Sequence, residues 1–193
     1  MRQAATKVLL ALSGLLAVSL GACASAPREV HEPRAYPETK LAASVITLEV
    51  VDSRAAPTTP GQRQLLLPGD FEAVAQGRVT GMLTGQGPAL HVMAAVNGGE
   101  AVDITDARGE VTRVSVQLDF EVKVQDGPLL RRGQSQSMSD LPRDEATPEE
   151  INLLLRSTSI DAFDRYWADA KTTTALNADL AAYGRQQSKT VSP

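Results

Sequence analysis

From Val114 to Val124 the chain reads VSVQLDFEVKV. Val114, Val116, Leu118, Phe120, Val122 and Val124 alternate without error with Ser115, Gln117, Asp119, Glu121 and Lys123. Successive side chains of an extended strand point to opposite faces. The segment therefore predicts a long antiparallel strand with one face on a core and one in water. Asp126-Gly127 follows as a hairpin turn, and Leu129 to Met138, LLRRGQSQSM, returns as a polar strand at a sheet edge.

On the N-terminal side of this pair, Ala89 to Val96 reads as a strand that stops at Asn97-Gly98-Gly99. Glu100 to Gly109 fits either a short strand, VDIT, or a connection. Ser44 to Asp52, SVITLEVVD, is a near-continuous apolar, β-branched run and predicts a strand buried on both faces. A proline-containing loop spans Ala55 to Gly61, and Leu65-Leu66-Leu67 is a short apolar stretch of either type. Pro68-Gly69-Asp70 opens a helix with Asp70 as N-cap. Phe71, Val74, Ala75, Val79, Met82 and Leu83 fall on one side of it. Gly77 and Gly81 cost up to about 1 kcal/mol each in a helix, and they are read as allowing close packing on a sheet. On the C-terminal side, Leu141 to Ala146 reads as a charged loop. Thr147-Pro148-Glu149-Glu150 is a helix start with a capping threonine and a proline at the first helical position. Ile151, Leu154, Leu155, Thr158, Ala162, Phe163 and Tyr166 form the inner stripe, with Trp167 nearby. A second helical piece, Ala175 to Tyr183, ends at Gly184, and residues 185–193 read as a disordered tail. The order predicts an α+β two-layer sandwich over residues 44–184: a mostly antiparallel sheet of about four strands with two helices on one face.

The first residues carry a different message. Arg2 and Lys7 precede an apolar run, Val8 to Leu20, and small residues then lead to Cys23. This is the pattern of a secretory signal peptide over residues 1–22. It is shorter than the roughly 20 residues that a bilayer-spanning helix needs. Leu20-Gly21-Ala22-Cys23 resembles the bacterial lipobox. That resemblance implies recognition of Leu20, Gly21 and Ala22 by a signal peptidase. It also implies acyl chains on Cys23, including palmitate, as the membrane anchor. Each buried methylene is worth about 0.8 kcal/mol, so several chains hold a protein stably. Cys23 is the one cysteine, so the mature domain has no disulfide and rests on its core. Residues 23–43 contain several prolines and many charges and read as a flexible tether. No aspartate follows Cys23, which in similar enterobacterial lipoproteins leans toward the outer membrane.

Cleavage after Ala22 leaves 171 of the 193 residues, one ordinary domain. It removes Arg2 and Lys7 and no acid, taking the formal charge from −4 to −6. A mildly acidic chain with few aromatics is a poor nucleic-acid binder. Catalytic patterns are sparse. His31 lies in the tether and His91 in a strand, and neither belongs to a metal-binding or nucleophile motif. His91 is read as an ordinary strand histidine. Asp103 and Asp106 read as loop carboxylates, because their spacing alone does not set an acid–base separation. The sequence reading assigns no cofactor. Asp52 and Arg54 end the first strand with the makings of a local ion pair. Arg131 and Arg132 suit either contact with an anionic partner, such as lipid A phosphates, or protection of a strand edge.

The lipobox, the tether, the opening strand ITLEVVDSR and the strand–helix order together resemble the small Gram-negative envelope lipoproteins of the LptE-like and YajG-like kind. The resemblance implies a lipid-anchored, non-enzymatic protein of the cell envelope, at the outer membrane facing the periplasm. It would act as an accessory or assembly subunit with an envelope protein partner. A lipid- or small-ligand-binding accessory of a transporter and a periplasmic hydrolase are the rival readings. Fold alone does not choose among them.

Overall fold

A computed structural model describes residues 34–54, 63–64, 67–107 and 109–190. The signal-peptide and lipobox residues (Leu20, Gly21, Ala22 and Cys23), His31, the proline-containing loop from Ala55 to Gly61, Leu65 and Leu66 lie outside the described residues. The elements are β1 (Ile46–Asp52), β2 (Arg63–Gln64), α1 (Phe71–Thr80), β3 (Leu90–Asp106), β4 (Gly109–Val124), β5 (Leu129–Pro142), a 3-10 turn (Arg143–Glu145), α2 (Pro148–Trp167) and α3 (Ala170–Thr190). The sheet order is β1-β3-β4-β5, with β2 pairing β3 beside β1. β3, β4 and β5 are antiparallel neighbours, whereas β1 runs parallel to β3. This is the expected α+β class, with helices packed on one face of a mostly antiparallel sheet.

The alternation in β4 does what it predicts. Val114, Val116, Leu118, Phe120, Val122 and Val124 are all buried. Burying side chains of this size is worth about 1.5–3 kcal/mol each. Above them sits an aromatic cluster made from all three phenylalanines, the one tryptophan and Tyr166. Phe120 stacks on Tyr166 at 4.3 Å between ring centroids, and Phe163 meets Phe71 and Phe120 edge-on. Few aromatics thus supply the centre of the core by being concentrated in it.

Several elements differ from expectation. β1 is not buried on both faces: Ile46 and Leu48 face the core, while Thr47 and Glu49 are exposed. Glu100 to Asp106 belongs to one strand with Leu90, which a bulge between Val96 and Gly98 lets continue after its side-chain parity shifts. Leu141 is not in a loop. It ends the inner face of β5, paired with Thr112, and is buried. α3 starts earlier than Ala175 and continues through Gly184 to Thr190, so residues 185–190 are helical rather than a disordered tail. It makes a third helix where two were expected. Gly77 has open space around it and serves no close approach. Asp70 precedes α1 without capping it through its side chain. Its carboxylate instead holds Arg156 of α2 at 2.6 Å.

β5 shows why a polar strand can still face a core. Its inward residues are Gly133, Ser135, Ser137 and Ser139, opposite Phe120, Leu118, Val116 and Val114. Small residues let α2 lie close, and their hydroxyls find partners on it. Ser135 Oγ donates to the Ala162 carbonyl at 2.5 Å, Ser137 Oγ to Asp161 at 2.6 Å, and Thr158 Oγ1 to Ser139 Oγ at 2.8 Å. The outer edge of β1 is closed by one amide. Gln76 of α1 accepts from Leu48 N at 2.8 Å and donates to Ile46 O at 2.7 Å, standing in for a neighbouring strand.

Candidate functional site

Residues 34–43 are not a free tether. Leu41 and Ala43 are fully buried. Leu41 bridges to Leu83, its N–H donates to Met82 O at 2.8 Å, and its carbonyl accepts from Thr84 N at 2.9 Å. Asn177 of α3 clamps the same stretch from the other side. Its amide donates to Lys40 O, and its carbonyl oxygen accepts from Ala42 N, both at 2.9 Å. Lys40 Nζ reaches Gly81 O at 2.7 Å.

The front of this strap is held by two buried carboxylates. Asp161 accepts from Arg34 Nε at 3.0 Å, from Arg165 Nε at 2.7 Å and from Ser137 Oγ at 2.6 Å. Asp164 accepts from Arg78 Nη1 of α1 at 2.7 Å and from the Tyr36 hydroxyl. Asp164 follows the core residue Leu155 by nine positions. That is about 900° of rotation at roughly 100° per residue, which points it away from the sheet. Its side chain is nevertheless only 2% exposed. The strap lies across the outside of the helix layer and buries it there. Desolvation pushes the Asp164 carboxyl above its ordinary range, opposed by the Tyr36 hydrogen bond and the Arg78 charge. Burial likewise raises the Tyr36 hydroxyl, and the neighbouring Asp164 raises it further.

The two helices under the strap run parallel, tied by Asp70–Arg156 at one end and Arg78–Asp164 at the other. The opposite face of the sheet carries charged rows. Glu121 holds Lys123 at 3.0 Å and Arg132 at 2.8 Å, and Arg113 meets Asp140 at 2.7 Å. The first two contacts draw the Glu121 carboxyl below its usual range. A shallow depression of about 510 Å³ sits on this face over Met93 and Ala95, rimmed by Asn97, Asp119 and Arg132. A second groove, about 680 Å³ and mostly apolar, lies beside Leu67, Pro68, Leu153 and Leu155.

Each sequence candidate now has a place. Asp52 and Arg54 pair at 2.6 Å, and Arg54 Nη1 also donates to Gly99 O. The Arg54 hydrogen bond lowers the Asp52 carboxyl to about 2. Arg131 and Arg132 are consecutive in a strand and point to opposite faces, so they do not converge on one anion. Arg131 is bound to Asp179 of α3 at 2.8 Å, and Arg132 to Glu121. His91 Nε2 sits 3.2 Å from Glu49 on the open face. Asp103 is engaged by Arg63 at 3.2 Å and Thr112 at 2.8 Å, and its position three residues from Asp106 puts the two on opposite faces of β3. Among the described residues no group of three or more His, Cys, Asp or Glu could hold a metal ion. No described helix is long and apolar enough to cross a membrane. The strap and its two aspartates escaped the sequence reading. No local pattern marks them, because Asp164 falls on the side of α2 opposite its apolar stripe, where an acid reads as solvated.

No protein family and no curated protein matches the chain. Solved structures overlap with it in part, three bacterial proteins among them. A protein described as a lipoprotein from Caulobacter crescentus CB15 is 14% identical, with a TM-score of 0.40 over 61% of this chain and 89% of that one. A minor lipoprotein from Acinetobacter baumannii is 12% identical, with a TM-score of 0.38 over 74% of this chain and 94% of its own. A homologue of a neuraminyllactose-binding hemagglutinin from Helicobacter pylori is 9% identical, with a TM-score of 0.40 over 76% and 95%. Overlaps this shallow transfer no role to this chain.

Proposed function

We propose that this chain is a lipid-anchored, non-enzymatic lipoprotein of the bacterial cell envelope, an accessory or assembly subunit of an outer-membrane complex facing the periplasm. The observation that carries the reading is the Leu20-Gly21-Ala22-Cys23 sequence after an apolar run, with Cys23 the one cysteine of the chain. The docked strap supports it from the other side, because the segment that follows the anchor is bolted to the domain. Confinement to a surface raises the effective concentration of the domain near a partner there. The test is expression of the full chain with labelled palmitate in a Gram-negative host. The expected mature chain starts at Cys23, carries label and sediments with membranes, and Cys23→Ser loses all three. An unlabelled native chain, or one cut elsewhere, sinks the reading. Crosslinking in intact cells tests the subunit role: one abundant barrel or transporter supports it, and no partner above background refutes it.

A second reading, a lipid- or small-ligand-binding accessory of a transporter, is favoured by the apolar groove at Leu67, Pro68, Leu153 and Leu155, whose volume suits a small ligand. Solvent extraction of the purified protein followed by mass spectrometry tests it. Extracts without bound lipid or other small molecule count against it.

A further inference from the structure

The strap turns the anchor into a constraint on attitude. Tyr36 reaches Asp164 on the side of α2 turned away from the sheet, and Arg34 reaches Asp161, whose other oxygen holds Ser137 of β5; the sheet face that no described helix covers, the bare face, lies opposite. Only residues 24–33 separate Arg34 from Cys23. Even fully extended, those eleven steps span at most about 40 Å. Turning the bare face toward the bilayer would send that connection past the β5 edge and across both layers. One helix diameter of about 10–12 Å and one layer spacing of about 10 Å make that detour roughly 20 Å. About half of the reach is then consumed before the anchor meets the lipid. With the helix layer toward the bilayer, all of it remains available.

We propose that the anchored domain rides with its helix layer toward the bilayer and its bare sheet face away, held in that attitude by the docking of Arg34 and Tyr36 on Asp161 and Asp164. This rests on acylation at Cys23. Without the Arg34 and Tyr36 docking the anchor would join the domain near Lys40, where Asn177 and Met82 still hold the chain, through a connection about half as long again, and neither face would be preferred.

The experiment uses the full lipidated chain in vesicles of phosphatidylethanolamine and phosphatidylglycerol, with an energy acceptor on the lipid headgroups. A single cysteine carries the donor, at Leu153→Cys on the outer side of α2 or at Gln136→Cys on the bare face; both positions are exposed. The expected result is several-fold more transfer from position 153 than from 136. The double change Arg34→Ala and Tyr36→Phe should erase the difference while the protein still melts cooperatively. Equal transfer from the two positions in the parent, or the reverse order, overturns the attitude. An undiminished difference in the double variant overturns the role of the strap. A chain that does not bind the vesicles at all refutes the anchor beneath both.

Discussion

Gly133 gives the sharpest test of how β5 and α2 fit. It lies on the inward face of β5, opposite Phe120. A Cβ at this position would sit 2.8 Å from Tyr166 Cζ and 3.0 Å from Cδ2, and closer still to Cε2. Carbon atoms settle at about 3.5–4.0 Å, so in Gly133→Ala the ring must withdraw by roughly 1 Å or more. It has little room to do so. Phe120 stacks on it at 4.3 Å and Trp167 meets it edge-on at 5.1 Å. Overpacking a core costs about 1–3 kcal/mol, and spoiling an aromatic pair about 0.5–1.5 kcal/mol more. Together they predict a loss of about 2–4 kcal/mol from a domain whose total stability is of the order of 5–15 kcal/mol. Urea unfolding followed by circular dichroism measures this. A double-mutant cycle with Tyr166→Ala isolates it, because without the ring the added methyl should cost under about 0.5 kcal/mol. An alanine at 133 that leaves the midpoint unchanged, or a cost that persists without the ring, would refute the packing argument.

Three further outcomes are expected. Gln76→Ala removes both bonds to the β1 edge, which should cost about 1–3 kcal/mol in urea melts. It should also raise light scattering on concentration, since an uncapped edge recruits other chains. Asp164→Asn keeps an acceptor for Tyr36 and removes a buried charge, so stability should stay within about 1 kcal/mol of the parent. Asp164→Leu strands Arg78 and the Tyr36 hydroxyl and should lose about 2–4 kcal/mol. Asp52, lowered from 3.8 to about 2 by Arg54, contributes stability that is present above pH 4 and fades as pH falls toward 2. Asp52 is 51% exposed, so the effect should stay under about 1 kcal/mol, read as the difference between parent and Asp52→Asn in acid titrations.

The legible parts of the fold are those where one physical signal dominates. β4 was readable because its period-two alternation has no competitor. The start of α2 was readable because Thr147 accepts from Glu150 N while Pro148 sits at the first helical position. β5 kept its inward face hidden, because serines at 135, 137 and 139 look like solvent residues until α2 supplies their hydrogen-bond partners. The strap was missed for a related reason. Tyr36 and Leu41 are isolated apolar residues among charges, and isolated residues carry no period. Asp164 points outward on its helix and reads as solvated. Its burial depends on a segment more than a hundred residues away, which no local pattern encodes. For the site, the Asp52–Arg54 pair was visible in the sequence, and the Asp161–Asp164 lock was not.

The two ties between α1 and α2 have a consequence for how this chain can change over time. Asp70 to Arg156 and Arg78 to Asp164 are each separated by 86 positions. Like two marks on a vernier, equal offsets fix the sliding position of one helix against the other. A residue inserted or deleted between the marks in α1 alone would swing its far end by about 100° and 1.5 Å relative to its partner. Arg78 would then no longer face Asp164. The same change between 156 and 164 would break the match from the other side. Length variation in this fold is therefore expected to collect in the connections outside the two marks, and the spacing from 70 to 78 should stay equal to the spacing from 156 to 164.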